Sequence, residues 1–208
     1  MKYKNSTKGF ILKKNLYKDT SVFLEIFTFD FWKRTFFIKN FKKSKKINSA
    51  FLNIWSEIEF DFSDKLDVWN ISEINFIDWF ENLDEDWLKY LSYFLWLVWK
   101  FLRENEKNLD IYLFLKKFFL VFKNFSEKKS DEEKNFLLLK IFFEVKIFTK
   151  LWYLKNLEVK FLNFLQNNEV ENILNIKIGE QEKDRVSKIF DDFLMEHWCE
   201  KILKIIKN

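Results

Sequence analysis

Thr20-Ser-Val-Phe-Leu-Glu-Ile-Phe-Thr-Phe29 decides the fold class. The stretch is dense in β-branched and aromatic residues, and its polar positions do not fall at helical spacing, so it reads as a strand. Working outward, Gly9-Phe-Ile-Leu-Lys13 before it and Lys33-Arg-Thr-Phe-Phe-Ile-Lys39 after it read the same way. From Asn53 to Phe60 the acids Glu57 and Glu59 alternate with Ile58 and Phe60, the pattern of a half-buried strand. Leu66 to Phe76, with Val68, Trp69, Ile71 and Ile74, makes a fifth run. Five short strands at this spacing predict a small closed barrel over residues 1–78.

Near residue 80 the period changes from two to 3.6. Asn82, with Glu85 three positions on, has the form of a helix start, and Leu88, Leu91, Leu95, Val98 and Leu102 follow at helical spacing. Lys107-Asn-Leu-Asp110 opens a second helix running through Phe125, and Ser130-Asp-Glu-Glu133 matches a capping box before a third at Phe136–Phe143. Residues 147–178 are read as one or two short helices, and Glu180–Lys207 as the last one. The expected fold class is therefore α+β: a β-barrel domain over 1–78 and an all-helical domain over 79–208. No internal repeat is visible.

Composition excludes several classes. The 208 residues hold two glycines, no proline and one cysteine, against 28 phenylalanines. A glycine-rich phosphate loop lacks its glycines. A disulfide framework or a four-thiolate zinc site needs more than Cys199. At 48% hydrophobic the chain can bury a core, which argues against intrinsic disorder. The favoured residues have AT-rich codons, so the phenylalanine count reports the genome as much as the function. The nine tryptophans run against that bias unless UGA is also read as Trp, which the coding DNA would settle. The longest apolar run, Leu91–Trp99, ends at Lys100, far short of the roughly 20 residues of a membrane span. The start Met1-Lys-Tyr-Lys does not have the form of a secretory signal, and the expected compartment is the cytoplasm.

The charge is unevenly placed. Residues 1–50 carry +10, residues 51–90 carry −9 and the remainder +3. A basic first quarter is the expected footprint of polyanion binding. Its sharpest element is the connection Phe41-Lys-Lys-Ser-Lys-Lys46, preceded by Lys33, Arg34 and Lys39. Lys33, Arg34, Lys39, Lys42, Lys43, Lys45 and Lys46 are the candidate DNA-contacting residues, since clustered ammonium groups neutralise phosphates and release counterions. The plain alternative is a solvated loop in a lysine-rich chain. His197 and Cys199 stand two apart on a helix, on different faces, and lack the partners that a metal or nucleophile site needs. Asp84, Glu85 and Asp86 sit at a helix start, where acids favour the macrodipole. No catalytic residue, metal site or cofactor is implied.

Thr7-Lys-Gly-Phe-Ile-Leu-Lys13, then Tyr17-Lys-Asp-Thr-Ser-Val-Phe-Leu24 and Ile26-Phe-Thr28, closely resemble the opening of the RecO family of bacterial recombination mediators. Lys39-Asn-Phe-Lys-Lys-Ser44 is similar to its basic loop, Asn53–Phe60 to its fourth strand and Ser72-Glu-Ile-Asn75 to its fifth. Farther on, Leu102-Arg-Glu-Asn-Glu-Lys-Asn108 and Phe193-Leu-Met-Glu-His197 resemble later family stretches. Trp32 and Asn40 stand where the family prefers glycine, and Leu151–Leu165 has no Cys-x-x-Cys pair, so the family's zinc module is missing or replaced.

The resemblance implies an OB-type, five-stranded N-terminal barrel followed by a helical domain. It implies binding of single- and double-stranded DNA and promotion of strand annealing. It implies partnership with RecR and with the tail of the single-stranded DNA-binding protein, in the cytoplasm at the nucleoid, without enzymatic activity. A structural or interaction protein that keeps the fold but no longer binds DNA is the second class left open.

Overall fold

The computed structural model describes residues 5–44, 47, 52–65, 68–78, 83–104, 108–126, 132–151, 169 and 179–197. Five strands lead: β1 (Asn5–Tyr17), β2 (Ser21–Thr28), β3 (Trp32–Ile38), β4 (Glu57–Lys65) and β5 (Val68–Asp78). They close into a barrel in the order β1-β2-β3-β5-β4, with β4 pairing back onto β1. Only β3 and β5 pair in parallel. This is the OB-type barrel. Between β3 and β4 a single 3-10 turn, Phe41–Lys43, is the one helical element described between residues 20 and 60. The fourth strand starts at Glu57, later than Asn53, because Trp55 takes a positive φ of 86° and breaks the extended run.

β1 serves two neighbours. Its first half, to Phe10, pairs with β4, while Gly9 onward pairs with β2, with an irregularity between Ile11 and Lys13. The strand must therefore cross close to β2 at Gly9. A Cβ there would lie 2.6 Å from Ile26 Cγ2 and 2.7 Å from the Phe27 carbonyl oxygen, so glycine is required by space. The turns carry a different demand. Trp32 and Asn40 both take positive φ, 62° and 52°, so the conformation glycine favours is kept with other residues in place. Alternating side chains fill the barrel: Ile11, Val22, Leu24, Ile26, Phe36, Ile38, Ile58, Phe60 and Phe62 are all buried, and Phe41, Ile47 and Leu52 join the same cluster.

Among the described residues four helices follow: α1 (Glu85–Phe101), α2 (Leu109–Ser126), α3 (Glu132–Lys150) and α4 (Glu180–His197). The first is capped by Asp84, whose carboxylate accepts from the Trp87 N–H at 3.0 Å, two positions beyond the expected Asn82. Asn82 and Ser130 lie outside the described residues, as do 152–168, 170–178 and everything after His197. Asn108 caps α2 through the Ile111 N–H. Backbone proximity groups the chain into two compact units, 1–116 and 117–208, dividing within α2.

In the second unit α3 is buried from Leu138 to Val145 on every face, the mark of a central helix. Phe118 packs on Phe143 with ring centroids 4.6 Å apart, and Phe148 stacks on Phe190 of α4. Its buried ions are paired: Lys140 lies 3.3 Å from Glu144 and 3.4 Å from Asp191. Burial opposes the charge on Lys140, but the two carboxylates outweigh it and raise the ammonium pKa. No helix among the described residues is long and apolar enough to cross a membrane.

Candidate nucleic-acid interface

Strand alternation gives β1, β2 and β3 one inward and one outward face, and the outward face is built in tiers. In the first tier Phe10 pairs with Phe27, and the Tyr112 ring of α2 covers both at 5.2 and 5.8 Å, with Phe29 at 5.4 Å. The Tyr112 hydroxyl donates to Glu57 Oε1 at 2.9 Å, and Lys116 Nζ reaches both Glu57 oxygens at 3.2 Å. Burial, then the adjacent Glu57 carboxylate, push the Tyr112 phenol far above its ordinary pKa. In the second tier Lys13, Glu25 and Thr35 are neighbours across the strands, under Trp99 of α1. The indole N–H donates to Glu25, and the Lys13 ammonium sits over the indole at 4.5 Å.

The third tier is partly exposed, with Phe23 and Phe37 half-buried. Phe23 of β2 pairs directly with Phe37 of β3, their ring centroids 4.8 Å apart. Tyr17 of β1 meets both edge-on at 5.5 and 6.1 Å and is 45% exposed. Lys18, at a positive φ of 52°, lays its ammonium over the Tyr17 ring. Composition hides these rings in the sequence, because they are three aromatics among many. The signal that could have found them is alternation: Phe23 lies between the core residues Val22 and Leu24, and Phe37 between Phe36 and Ile38.

The predicted basic residues separate into two groups. Lys39, Lys42 and Lys43 are exposed at the barrel end beside the third tier and have no ion-pair partner among the described residues. Lys39 stands two positions beyond Phe37. The turn that presents them is anchored by Thr20, whose hydroxyl donates to Asn40 Oδ1 at 3.0 Å, and by the buried Phe41. Lys45 and Lys46 lie outside the described residues.

Lys33 and Arg34 stand at the other end of β3, about 20 Å from Lys39 at strand rise, and they diverge. Lys33 faces outward and donates to the Trp99 carbonyl at 2.9 Å, so its ammonium caps the last turn of α1. Its burial lowers the pKa, against the opposing pull of the Glu25 and Glu104 carboxylates. Arg34 pairs with the core residue Ile26 and therefore turns to the inner side, its guanidinium 5.1 Å from the Trp69 ring, which itself stacks on Phe62. Asp84, Glu85 and Asp86 cap α1 or pair with Lys89. Among the described residues, no group of three or more His, Cys, Asp or Glu is placed to hold a metal ion.

The barrel is also recognisable by sequence. Residues 1–80 match the family model "Recombination protein O N terminal". The chain is 31% identical over 107 residues to the DNA repair protein RecO of Caldicellulosiruptor bescii. Residues 1–80 are thus similar to the N-terminal domain of the RecO family. The match to the relative covers 50% of the chain and 44% of the relative's length. In this RecO-like N-terminal domain the exposed lysines Lys39, Lys42 and Lys43 follow β3.

Proposed function

We propose that this protein is a non-catalytic DNA-binding mediator of recombinational repair, which holds DNA at the end of its OB-type barrel where β3 stops. The observation that carries this reading is the set Lys39, Lys42 and Lys43, exposed and without an ion-pair partner among the described residues, on a RecO-like N-terminal domain. Ammonium groups free of carboxylates can neutralise phosphates and release condensed counterions. Lys45 and Lys46 extend the run in sequence. Lys33 and Arg34 are assigned to a supporting role, because one caps a helix and the other packs on a tryptophan. Both single- and double-stranded DNA are expected ligands of a phosphate-directed site.

In this reading the barrel domain, 1–78, carries DNA, and the helical domain, 79–208, serves the protein partners: a RecR-like mediator and the tail of the single-stranded DNA-binding protein. The work in this reading is strand annealing and recombinase loading in the cytoplasm, at the nucleoid, and the relative's name, DNA repair protein RecO, supports a role in DNA repair.

The test is fluorescence anisotropy of a labelled oligonucleotide over a salt series. Lys42, Lys43, Lys45 and Lys46 are changed together to Ala. Each lost phosphate contact lowers the slope of log K against log salt by about 0.7 to 0.9. Affinity falls for all sequences alike, because phosphate contacts position and do not specify. Equal affinities and equal slopes for the variant and the wild type overturn the assignment.

A further inference from the structure

We infer that the Tyr17, Phe23 and Phe37 rings form a stacking platform that takes an unpaired base, giving the site a preference for single-stranded over duplex DNA. This deepens the proposed function and rests on it: the lysines hold the backbone, and the rings read whether the bases are free.

The tiers of the outer face carry the argument. Where helices reach the barrel, its outward aromatics are covered: Phe10, Phe27 and Phe29 by Tyr112. Three further rings from three adjacent strands are brought into mutual contact, with Tyr17 45% exposed and Phe23 and Phe37 half-buried. Exposed aromatic area is unfavourable in water, and a flat base can relieve it. Every base presents a π-face, so such a platform is tolerant of sequence. A duplex keeps those faces in its own stack.

Charge selects the occupant. Residues 14–24 and 36–44 contain five lysines, Lys14, Lys18, Lys39, Lys42 and Lys43, against the single acid Asp19. Lys39, two positions past Phe37, sets a cation beside the rings. Rings edged by cations that have no ion-pair partner among the described residues match a polyanion that carries its own flat apolar groups.

The experiment compares wild type with a Tyr17→Leu, Phe37→Leu double variant, which keeps an apolar cover and removes the rings. Affinity is measured for a single strand and for the duplex of the same sequence. The variant should lose roughly 5- to 100-fold in single-strand affinity. Its duplex affinity and its salt slope should stay unchanged. A second measurement needs no variant: 2-aminopurine placed in the single strand should change its emission on binding to the wild-type protein.

Equal loss for both DNAs, or no loss, together with unaltered 2-aminopurine emission, overturns the platform while leaving phosphate binding standing. Failure of the wild type to bind any DNA overturns the proposed function and the platform with it. Vesicles of phosphatidylglycerol and phosphatidylcholine form a further arm. Binding to them that the double variant loses, with its single-strand affinity intact, assigns the rings to a lipid surface and also overturns the platform.

Discussion

Gly9→Ala probes the crossing on which the barrel depends. The added methyl meets Ile26 Cγ2 at 2.6 Å, the Phe27 carbonyl oxygen at 2.7 Å and the Thr28 Cα at 3.0 Å. Two of these three atoms belong to the backbone of β2, the strand hydrogen-bonded to Gly9 onward, so no side-chain rotation removes the clash. Overpacking of this kind costs about 1–3 kcal/mol, and the unyielding partner argues for the upper end. Restricting the unfolded chain returns about 0.5–1 kcal/mol. The net expectation is a loss of about 2 kcal/mol, or a fall in Tm of about 4–8 °C for a chain of this size.

The assay is thermal unfolding by circular dichroism, joined to amide hydrogen exchange over β1 and β2, which localises the loss. Gly179→Ala supplies the control, since a Cβ there would meet nothing within 4 Å. That variant should stay within about 0.5 kcal/mol of wild type. If Gly9→Ala matches the control in both Tm and β1–β2 protection, the close crossing is not a constraint and the account of β1 is wrong.

Other outcomes follow from the same structure. Tyr112→Phe removes a buried donor to Glu57 and should cost about 1–3 kcal/mol in a denaturant titration, with the ring packing retained. Stability should decline above about pH 10: the Tyr112 pKa is raised in the fold from its ordinary 10.0, so the unfolded chain loses that proton first and each unit of pH then costs up to about 1.4 kcal/mol. Lys140, also raised, adds to the decline above its ordinary 10.5, and the Tyr112→Phe variant should show a shallower alkaline slope. Asn40→Ala should destabilise by about 1–2 kcal/mol because of the positive φ, while Asn40→Gly should stay within about 0.5 kcal/mol; equal losses in a melting experiment would refute the turn assignment.

The barrel and the helices were legible because each is written in a local period. Two-residue alternation marks Val22, Leu24 and Ile26 as one face, and 3.6-residue spacing marks Leu91, Leu95 and Val98 as another. What local pattern cannot contain is the partner of an outward face. Glu25 meets Trp99 across 74 positions, and Glu57 meets Tyr112 across 55. Those distant contacts decide that Phe27 is buried and that Tyr17 is open, so an aromatic count alone could not separate core from surface. Lys33 and Arg34 diverge for the reverse reason: adjacency in a strand places them on opposite sides, although adjacency in sequence suggests one basic patch.

The charge asymmetry of the sequence acquires its meaning from strand order. The outward residues of β4 and β5 include Glu59, Asp61 and Glu73, with Asp61 and Glu73 facing each other across the pair. Those strands form the wall that joins β1 to β3 on the side away from β2. The lysines gather instead where β1 turns into β2 and where β3 ends. One barrel therefore carries an acidic wall and a basic end, and its small net charge conceals a strong local field. A polyanion approaching such a surface is repelled by the acidic wall and drawn to the end where Lys39, Lys42 and Lys43 border the open rings. In the proposed reading orientation thus precedes contact: the acids of β4 and β5 would help direct DNA toward the basic end without touching it.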